Sequence, residues 1–250
     1  MKVCVVTGGA SGLGEATVIL LAREGTKVSI WDSNHNAGRE LAKKLGDHVI
    51  FCKVDVTDEQ SVKDAIQETV SRFGGIHILV NSAGIEENRT TLSKKGPHSM
   101  EIFDRVIKVN VTGTFNTLRL VAHQMSTQPL LPNNERGVII NTASVAGYEA
   151  QRGHTAYGAS KSAVIAMTLP VARDLSHYNI RVVTIAPGLF LTPMSAKLPD
   201  NAMKIMTPHS LRHRFGAPEE YALAIKFVAE NSYVNGSILR IDGGMRSPHI

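Results

Sequence analysis

The chain is poor in the features that would set it apart from an ordinary globular protein. It holds only two cysteines, Cys4 and Cys52, in 250 residues. Each lies in an apolar stretch of strand length, so they offer neither a disulfide framework nor a zinc site, and a reducing compartment is expected. No apolar run reaches the roughly 18 to 20 residues of a spanning helix, because Gly, Arg or Asn interrupts each candidate, and no membrane segment is expected. There is no run of five or six like charges. The 27 Lys and Arg are scattered among 22 Asp and Glu, and the net charge of +5 reads as a mildly basic solvated surface rather than a nucleic-acid interface. The ten histidines form no metal-binding pair on a predicted helix, so no metal site is expected.

What is present is enough for a sizeable core. With 43% hydrophobic and 20% charged residues, 21 Gly and 10 Pro, the composition excludes disorder and collagen-like repeats. At about 150 residues per domain, the length fits one large α/β unit, a single domain over 1–250. Apolar runs of strand length cover Val3 to Thr7, Lys27 to Trp31, Val49 to Val54, Ile76 to Asn81, Gly137 to Asn141, Arg181 to Ile185 and Ser237 to Ile241. Amphipathic stretches such as Leu13 to Arg23, Ala37 to Leu45, Val62 to Phe73 and Ala163 to Leu175 lie between them. This alternation predicts a doubly wound, Rossmann-type parallel sheet of about seven strands with helices on both faces. Three segments break it: Glu86 to Pro97, Gln128 to Arg136 and Gly188 to Phe215. All three are expected to follow strands whose carboxyl ends border a ligand crevice, with 86–97 and 188–215 on its substrate side. The first strand begins at Lys2-Val3, so no leader is expected ahead of the fold and a cytoplasmic protein is the expectation.

Directly after the first strand comes Thr7-Gly8-Gly9-Ala10-Ser11-Gly12-Leu13-Gly14, opening a helix. Glycines there permit a tight turn and let backbone N–H groups approach a pyrophosphate. The spacing of Gly8, Gly12 and Gly14 departs from G-x-G-x-x-G, and a Gly-rich turn alone can be only a turn. Its place between the first strand and the first helix points to a dinucleotide. Asp32 closes the second strand about 20 residues beyond the glycines, where a carboxylate binds adenosine ribose hydroxyls and repels a 2'-phosphate. Neither Ala10 nor Ser11 is basic, and Ser33 follows Asp32 where an Arg would meet that phosphate. NAD rather than NADP is therefore expected. Trp31, the only tryptophan, reads as core or as a wall of the adenine pocket.

Tyr157 and Lys161 stand four apart, on one face of a predicted helix, so their side chains can meet. A phenol with an ordinary pKa near 10 is a poor base at neutral pH, and a nearby ammonium together with an oxidised nicotinamide favours its phenolate. Tyr-x-x-x-Lys by itself is a common surface pair. Here it follows Ser144, in Asn141-Thr142-Ala143-Ser144 just beyond a buried strand.

With these marks in order, the chain resembles the short-chain dehydrogenase/reductase family over essentially its whole length. The marks are Thr7 to Gly14, Asp55-Val56, Asn81-Ser82-Ala83-Gly84, Asn110, Ser144, Tyr157 with Lys161, Pro187-Gly188 and Asp242-Gly243-Gly244. The resemblance implies that Tyr157 is the general acid/base and that Ser144 hydrogen-bonds the substrate oxygen. It implies that Lys161 holds the nicotinamide ribose and tunes Tyr157, while Asn110 orders a water linking the lysine to solvent. Asp55 and Val56 are implied at the adenine, Ala83 and Gly84 at the adenosine ribose, and Thr192 at the carboxamide, with Ser82 and Pro187 among the cofactor contacts. Ser82 departs from the second Asn that many members carry. Pro170 lacks an N–H and is expected to bend the catalytic helix, downstream of Tyr157 and Lys161. The implied reaction is removal of a secondary alcohol's hydroxyl proton by Tyr157 as hydride passes from the carbinol carbon to NAD, without a metal.

Within the family, the chain is similar to the type 2 3-hydroxyacyl-CoA dehydrogenases, also described as type 10 17β-hydroxysteroid dehydrogenases. The likeness runs through Gly137 to Ala146, Met167-Thr168-Leu169-Pro170, Ala172-Arg173-Asp174-Leu175, Ala186 to Phe190 and the insertion Leu92-Ser93-Lys94-Lys95-Gly96. It adds Ser11, Leu13 and Phe190 to the cofactor contacts and Gln151 to the substrate contacts, and leaves His154 either at the site or in a turn without a role. It implies oxidation of short 3-hydroxyacyl-CoA esters in fatty acid metabolism, with a hydroxysteroid or another secondary alcohol as the alternative. Coenzyme A is anionic, so Arg89, Lys94, Lys95, Arg212 and Arg214 are candidate contacts for its phosphates. Four intact catalytic positions argue against a protein that binds NAD without turnover, and Asp32 argues against an NADP-dependent ketoacyl reductase. Family analogy also implies a homotetramer joined through helices starting near Asn110 and Thr155 and through the last strand.

Overall fold

Successive side chains of a strand point to opposite faces of a sheet, and this period of two sorts the core into two layers. The computed structural model describes residues 2–197 and 202–246. In β1 (Val3–Thr7) Cys4 and Val6 face one layer and Val5 the other; in β2 (Lys27–Asp32) Val28 and Ile30 oppose Trp31. The same division holds in β4 (Ile78–Asn81), β5 (Gly137–Thr142) and β6 (Ile180–Pro187). With β3 (Val49–Lys53) and β7 (Ile238–Ile241) these make a seven-stranded sheet in the order β3-β2-β1-β4-β5-β6-β7. Every pairing is parallel. Helices α1 (Gly12–Arg23), α2 (His35–Leu45) and a later one over Pro218–Glu230 cover one face. The other face lies under α3 (Glu59–Phe73), a helical stretch over 100–126, and the helix Thr155–Leu175. The Rossmann-type α/β expectation is met. The strand order reverses between β1 and β4, which opens a crevice at their carboxyl ends.

The long helical stretch departs from expectation. It begins at Met100 rather than near Asn110: α4 (Met100–Ile107) passes through a wide π turn at Lys108–Gly113 into α5 (Thr114–Ser126). Asn110 sits inside that turn. The Thr114 hydroxyl donates to the Asn110 carbonyl at 2.7 Å and the Thr117 hydroxyl to the Gly113 carbonyl at 3.1 Å, so side chains satisfy carbonyls that a widened turn displaces. Helix α6 (Thr155–Leu175) starts at Thr155, where the family resemblance implies, and well ahead of the amphipathic stretch that begins at Ala163. Its first turns bury Ala156, Gly158, Ser160 and Lys161, small and polar residues that hide the apolar period. The helix runs through Pro170, which is exposed, without ending there.

The segment 128–136 is a correction. It does not follow a strand; it precedes β5 and lies at the amino ends of the strands, away from the crevice. Gln128 brackets Ile76 through N–H and carbonyl at 2.7 Å each, Arg136 Nη1 donates to the Tyr178 carbonyl, and Glu135 pairs with buried Arg181 at 2.8 Å. Trp31 is fully buried and its Nε1 donates to Ser29 Oγ at 3.0 Å, so it is core rather than pocket wall. Both thiols are free and buried. Burial pushes Cys52 up to about 11 and Cys4 higher still, which leaves neither as a nucleophile.

Candidate active site

The turn after β1 is packed too closely for side chains. A Cβ on Gly8, whose φ is +63°, would lie 2.8 Å from Ala83 Cα, and one on Gly14 would lie 2.2 Å from the Gly8 carbonyl oxygen. Only glycine lets the turn rest on the end of β4. Thr7 Oγ1 fastens that contact by accepting the N–H groups of Ser82 and Ala83 at 3.1 Å each. Ser11 precedes α1 without a side-chain capping bond, so the first amides of the helix remain open to an anion, and Thr192 faces Gly12 across the turn. At the end of β2, Asp32 Oδ2 accepts Ala10 N at 3.0 Å and Oδ1 accepts Asn34 N at 2.8 Å. The carboxylate is thereby held beside the glycine turn, and each oxygen keeps a lone pair for a diol. These residues suit a dinucleotide.

The remaining cofactor candidates divide. Asp55 is exposed and its Oδ1 accepts the Thr57 N–H and hydroxyl at 2.9 and 2.8 Å, while Val56 is buried and its carbonyl accepts Asn116 Nδ2. Leu13 packs partly buried on the core. Gly84 lies between β4 and the catalytic groups, where a Cβ would come 3.3 Å from Asn110 Oδ1 and 3.5 Å from Lys161 Nζ. Pro187 ends β6. The Phe190 ring is buried edge-on to Tyr221, 6.3 Å between centroids, so that side chain belongs to the core beneath the crevice.

Ser144 follows β5, and Tyr157 and Lys161 rise one turn apart on α6. Lys161 Nζ donates to the Thr142 carbonyl at 2.9 Å and stands 5.5 Å from the centre of the Tyr157 ring. Burial pushes the Lys161 ammonium down to about 8, with the charge of Glu86 opposing. Burial raises the Tyr157 phenol well above its ordinary value; Glu86 adds to that, and a hydrogen bond with Ser144 works the other way. Asn110 clamps the chain beyond β4: Oδ1 accepts Ile85 N at 2.8 Å, and Nδ2 donates to the Ile85 carbonyl at 2.9 Å and to Ser160 Oγ at 3.0 Å. Ser160 in turn donates to the Tyr157 carbonyl at 2.7 Å. The four catalytic candidates therefore meet at the carboxyl ends of β4 and β5.

Two participants carry no local sequence signal. Tyr221, fully buried, bonds Thr142 Oγ1 at 2.6 Å and also reaches Ser82, so a phenol supports the strand end where the second Asn is missing. Glu86 pairs with His154 at 2.7 Å. Their partners lie 79 and 68 residues away, beyond any motif window.

On the substrate side, Lys94 and Lys95 sit exposed at a small hairpin pairing Leu92–Ser93 with Gly96–Pro97. Arg89 and Arg212 are exposed as well, and Gln151 is partly buried just ahead of α6. Arg214 is spent: its guanidinium meets both Glu220 oxygens at 2.7 Å and draws that carboxyl down to about 2. Of the 188–215 segment, 198–201 lie outside the described residues; Phe190, Ser210, Arg212 and Phe215 of it line, with Asp242 among others, a cavity of about 300 Å³. Its lining does not include Ser144, Tyr157 or Lys161. His209 ends a single 3-10 turn and His213 follows it with φ +51°, so the two do not share a helix face, and among the described residues no group of three or more His, Cys, Asp or Glu is placed to hold a metal. No helix among the described residues is long and apolar enough to cross a membrane.

Comparison with known proteins shows the family. The short chain dehydrogenase family model matches residues 2–202. The 3-hydroxyacyl-CoA dehydrogenase type-2 of Drosophila melanogaster is 47% identical over 98% of this chain and 97% of its own, and the human protein of the same name is 44% identical over 98% and 95%. The crystal structure of 3-hydroxyacyl-CoA dehydrogenase type-2 from Mycobacterium avium superposes with a TM-score of 0.93 at 38% identity, covering 99% of this chain and 96% of that one. The chain belongs to the short-chain dehydrogenase family.

Proposed function

We propose that this protein is an NAD-dependent dehydrogenase that converts a 3-hydroxyacyl-CoA to the 3-oxoacyl-CoA. The observation that carries the reading is the meeting of Ser144, Tyr157 and buried Lys161 at the strand ends beside the glycine turn. Asp32, held between Ala10 N and Asn34 N, supports NAD over NADP by placing a negative charge where the 2'-phosphate would lie. The substrate follows the names of the full-length relatives.

NAD would supply the hydride acceptor. The glycine turn and the start of α1 would hold its pyrophosphate, Asp32 its adenosine ribose, and Lys161 with Tyr157 its nicotinamide ribose, with Thr192 at the carboxamide. Ser144 donates a hydrogen bond to the substrate oxygen and keeps it near the phenol. Tyr157 takes the hydroxyl proton as the C–H bond gives up its electron pair. Lys161 favours the phenolate by its charge, which offsets the cost of burying it. Asn110 fixes the chain beyond β4 against α6 through Ile85 and Ser160, so the crevice keeps its width. The exposed Phe115 on α5, Leu169 on α6 and Leu223 and Phe227 on the 218–230 helix support a homotetramer, to be read by analytical ultracentrifugation.

The test is initial-rate NADH formation with 3-hydroxybutyryl-CoA, free 3-hydroxybutyrate, a 17β-hydroxysteroid and 2-propanol, each with NAD and NADP. The reading expects kcat/KM to favour the CoA ester by about tenfold or more, equivalent to about 1.4 kcal/mol. Equal values for the ester and the plain alcohol would make this a secondary-alcohol or steroid dehydrogenase.

A further inference from the structure

Beyond Ile85 the chain runs along the residues that lead into Tyr157, and three contacts pin the two stretches together. Glu86 Oε1 lies 2.7 Å from His154 Nε2. Arg89 and His154 form a parallel backbone bridge, with Arg89 N donating to the Gly153 carbonyl at 2.9 Å. Thr91 Oγ1 stands 3.3 Å from Thr155 Oγ1. The His154 ring meets the Tyr157 ring at an interplanar angle of 63°, with centroids 6.2 Å apart. Glu86 and His154 are only 23% and 19% exposed, so solvent screens their charges less than it would a surface pair.

The charged neighbours are accounted for. Glu87 is directed to Arg105 at 2.8 Å. From α6 the pair faces Tyr157 and Lys161, and the other ring nitrogen of His154, Nδ1, is buried without a hydrogen-bond partner. Arg89 joins through its backbone with its side chain exposed.

We propose that Glu86 and His154 act as one positioning pair for the Tyr157–Lys161 couple: the carboxylate fastens the substrate-side segment to the start of α6, and the imidazole proton cancels the carboxylate charge beside the phenol. This rests on Tyr157 being the base. Glu86 favours the protonated form of both Tyr157 and Lys161, so removing its charge lets the couple lose its first proton at lower pH, whichever member carries it. The hydrogen bond to Glu86 is the main cause that raises the pKa of His154. A folded-state value raised in this way means that the pair stabilises the fold below the ordinary histidine range and loses that stabilisation as pH rises through the raised value. Above it, Glu86 is left uncompensated and holds the couple's proton more tightly.

The experiment records kcat/KM against pH for oxidation of 3-hydroxybutyryl-CoA, or of 2-propanol, in wild type, Glu86→Gln, His154→Gln and the double variant. Tyr157→Phe serves as a control, and near-ultraviolet phenolate absorbance is followed against it without substrate. Glu86→Gln keeps the shape and a hydrogen bond, so its effect is one of charge. It is expected to move the rising limb to lower pH, with on the order of three- to tenfold more activity at the foot of the profile. His154→Gln moves the limb to higher pH, and the double variant follows Glu86→Gln. The absorbance titration of Tyr157 shifts in the same directions. Profiles that superimpose after scaling by one factor, or limbs that move the same way in both single variants, overturn the proposal. Full activity in Tyr157→Phe would instead overturn the reading of Tyr157 as base.

Discussion

Around the turn after β1, contacts are made by backbone and short side chains, with no room for even one added carbon at Gly8 or Gly14. Along 86–97, on the far side of the crevice, the chain is held by one backbone bridge at Arg89 and by side chains reaching across the fold, Glu86 to His154 and Glu87 to Arg105, and its hairpin is exposed on most positions. A close-packed backbone contact has no alternative arrangement and is disrupted by one atom. An ion pair at a loop tolerates substitution and responds to pH. The cofactor end is therefore suited to one invariant ligand, and the substrate end to adjustment of specificity and rate.

The contrast can be broken at its centre first. Tyr157→Phe is expected to lower kcat by about a hundredfold to ten-thousandfold and to weaken calorimetric NAD affinity far less. Retention of turnover would remove the phenol from the chemistry. Gly14→Ala places a Cβ 2.2 Å from the Gly8 carbonyl oxygen, and thermal or urea unfolding should show a loss of about 1–3 kcal/mol or more. Asp32→Asn removes the charge while keeping the shape. It should cost about tenfold to a hundredfold in kcat/KM with NAD, the scale of a charge-assisted hydrogen bond, and improve NADP. An unchanged NAD to NADP ratio would deny Asp32 its role.

The substrate end sharpens the comparison with smaller effects. Lys94→Ala together with Lys95→Ala should raise KM for the acyl-CoA by about threefold, the scale of exposed ion pairs, leaving KM for 2-propanol and the melting temperature unchanged. Equal effects on both substrates would remove these lysines from coenzyme A recognition. Arg214→Gln should leave the acyl-CoA KM where it was, because Glu220 already occupies the guanidinium.

The glycine turn, Asp32 and the order Ser144, Tyr157, Lys161 were legible because each depends on spacing within one strand-turn-helix unit. The segment 128–136 was misplaced for the complementary reason. Its irregularity was visible, but only the buried Arg181–Glu135 pair and the Gln128 clamp on Ile76 show which end of the sheet it occupies. Asn110 was legible as a site residue, whereas the π turn around it was not. That turn depends on hydroxyls of Thr114 and Thr117 meeting displaced carbonyls, a geometry that helical periodicity does not register.

By itself the sequence determined the alternating strands and helices, the glycine turn after β1 and the Ser144, Tyr157 and Lys161 proposed for catalysis, since apolar period and turn chemistry act between near neighbours in the chain. Tertiary structure alone decided which distant groups complete the site. Tyr221 behind Thr142 and Glu86 against His154 join residues 79 and 68 positions apart, and such partners meet only once the parallel order of the sheet has brought its carboxyl ends together.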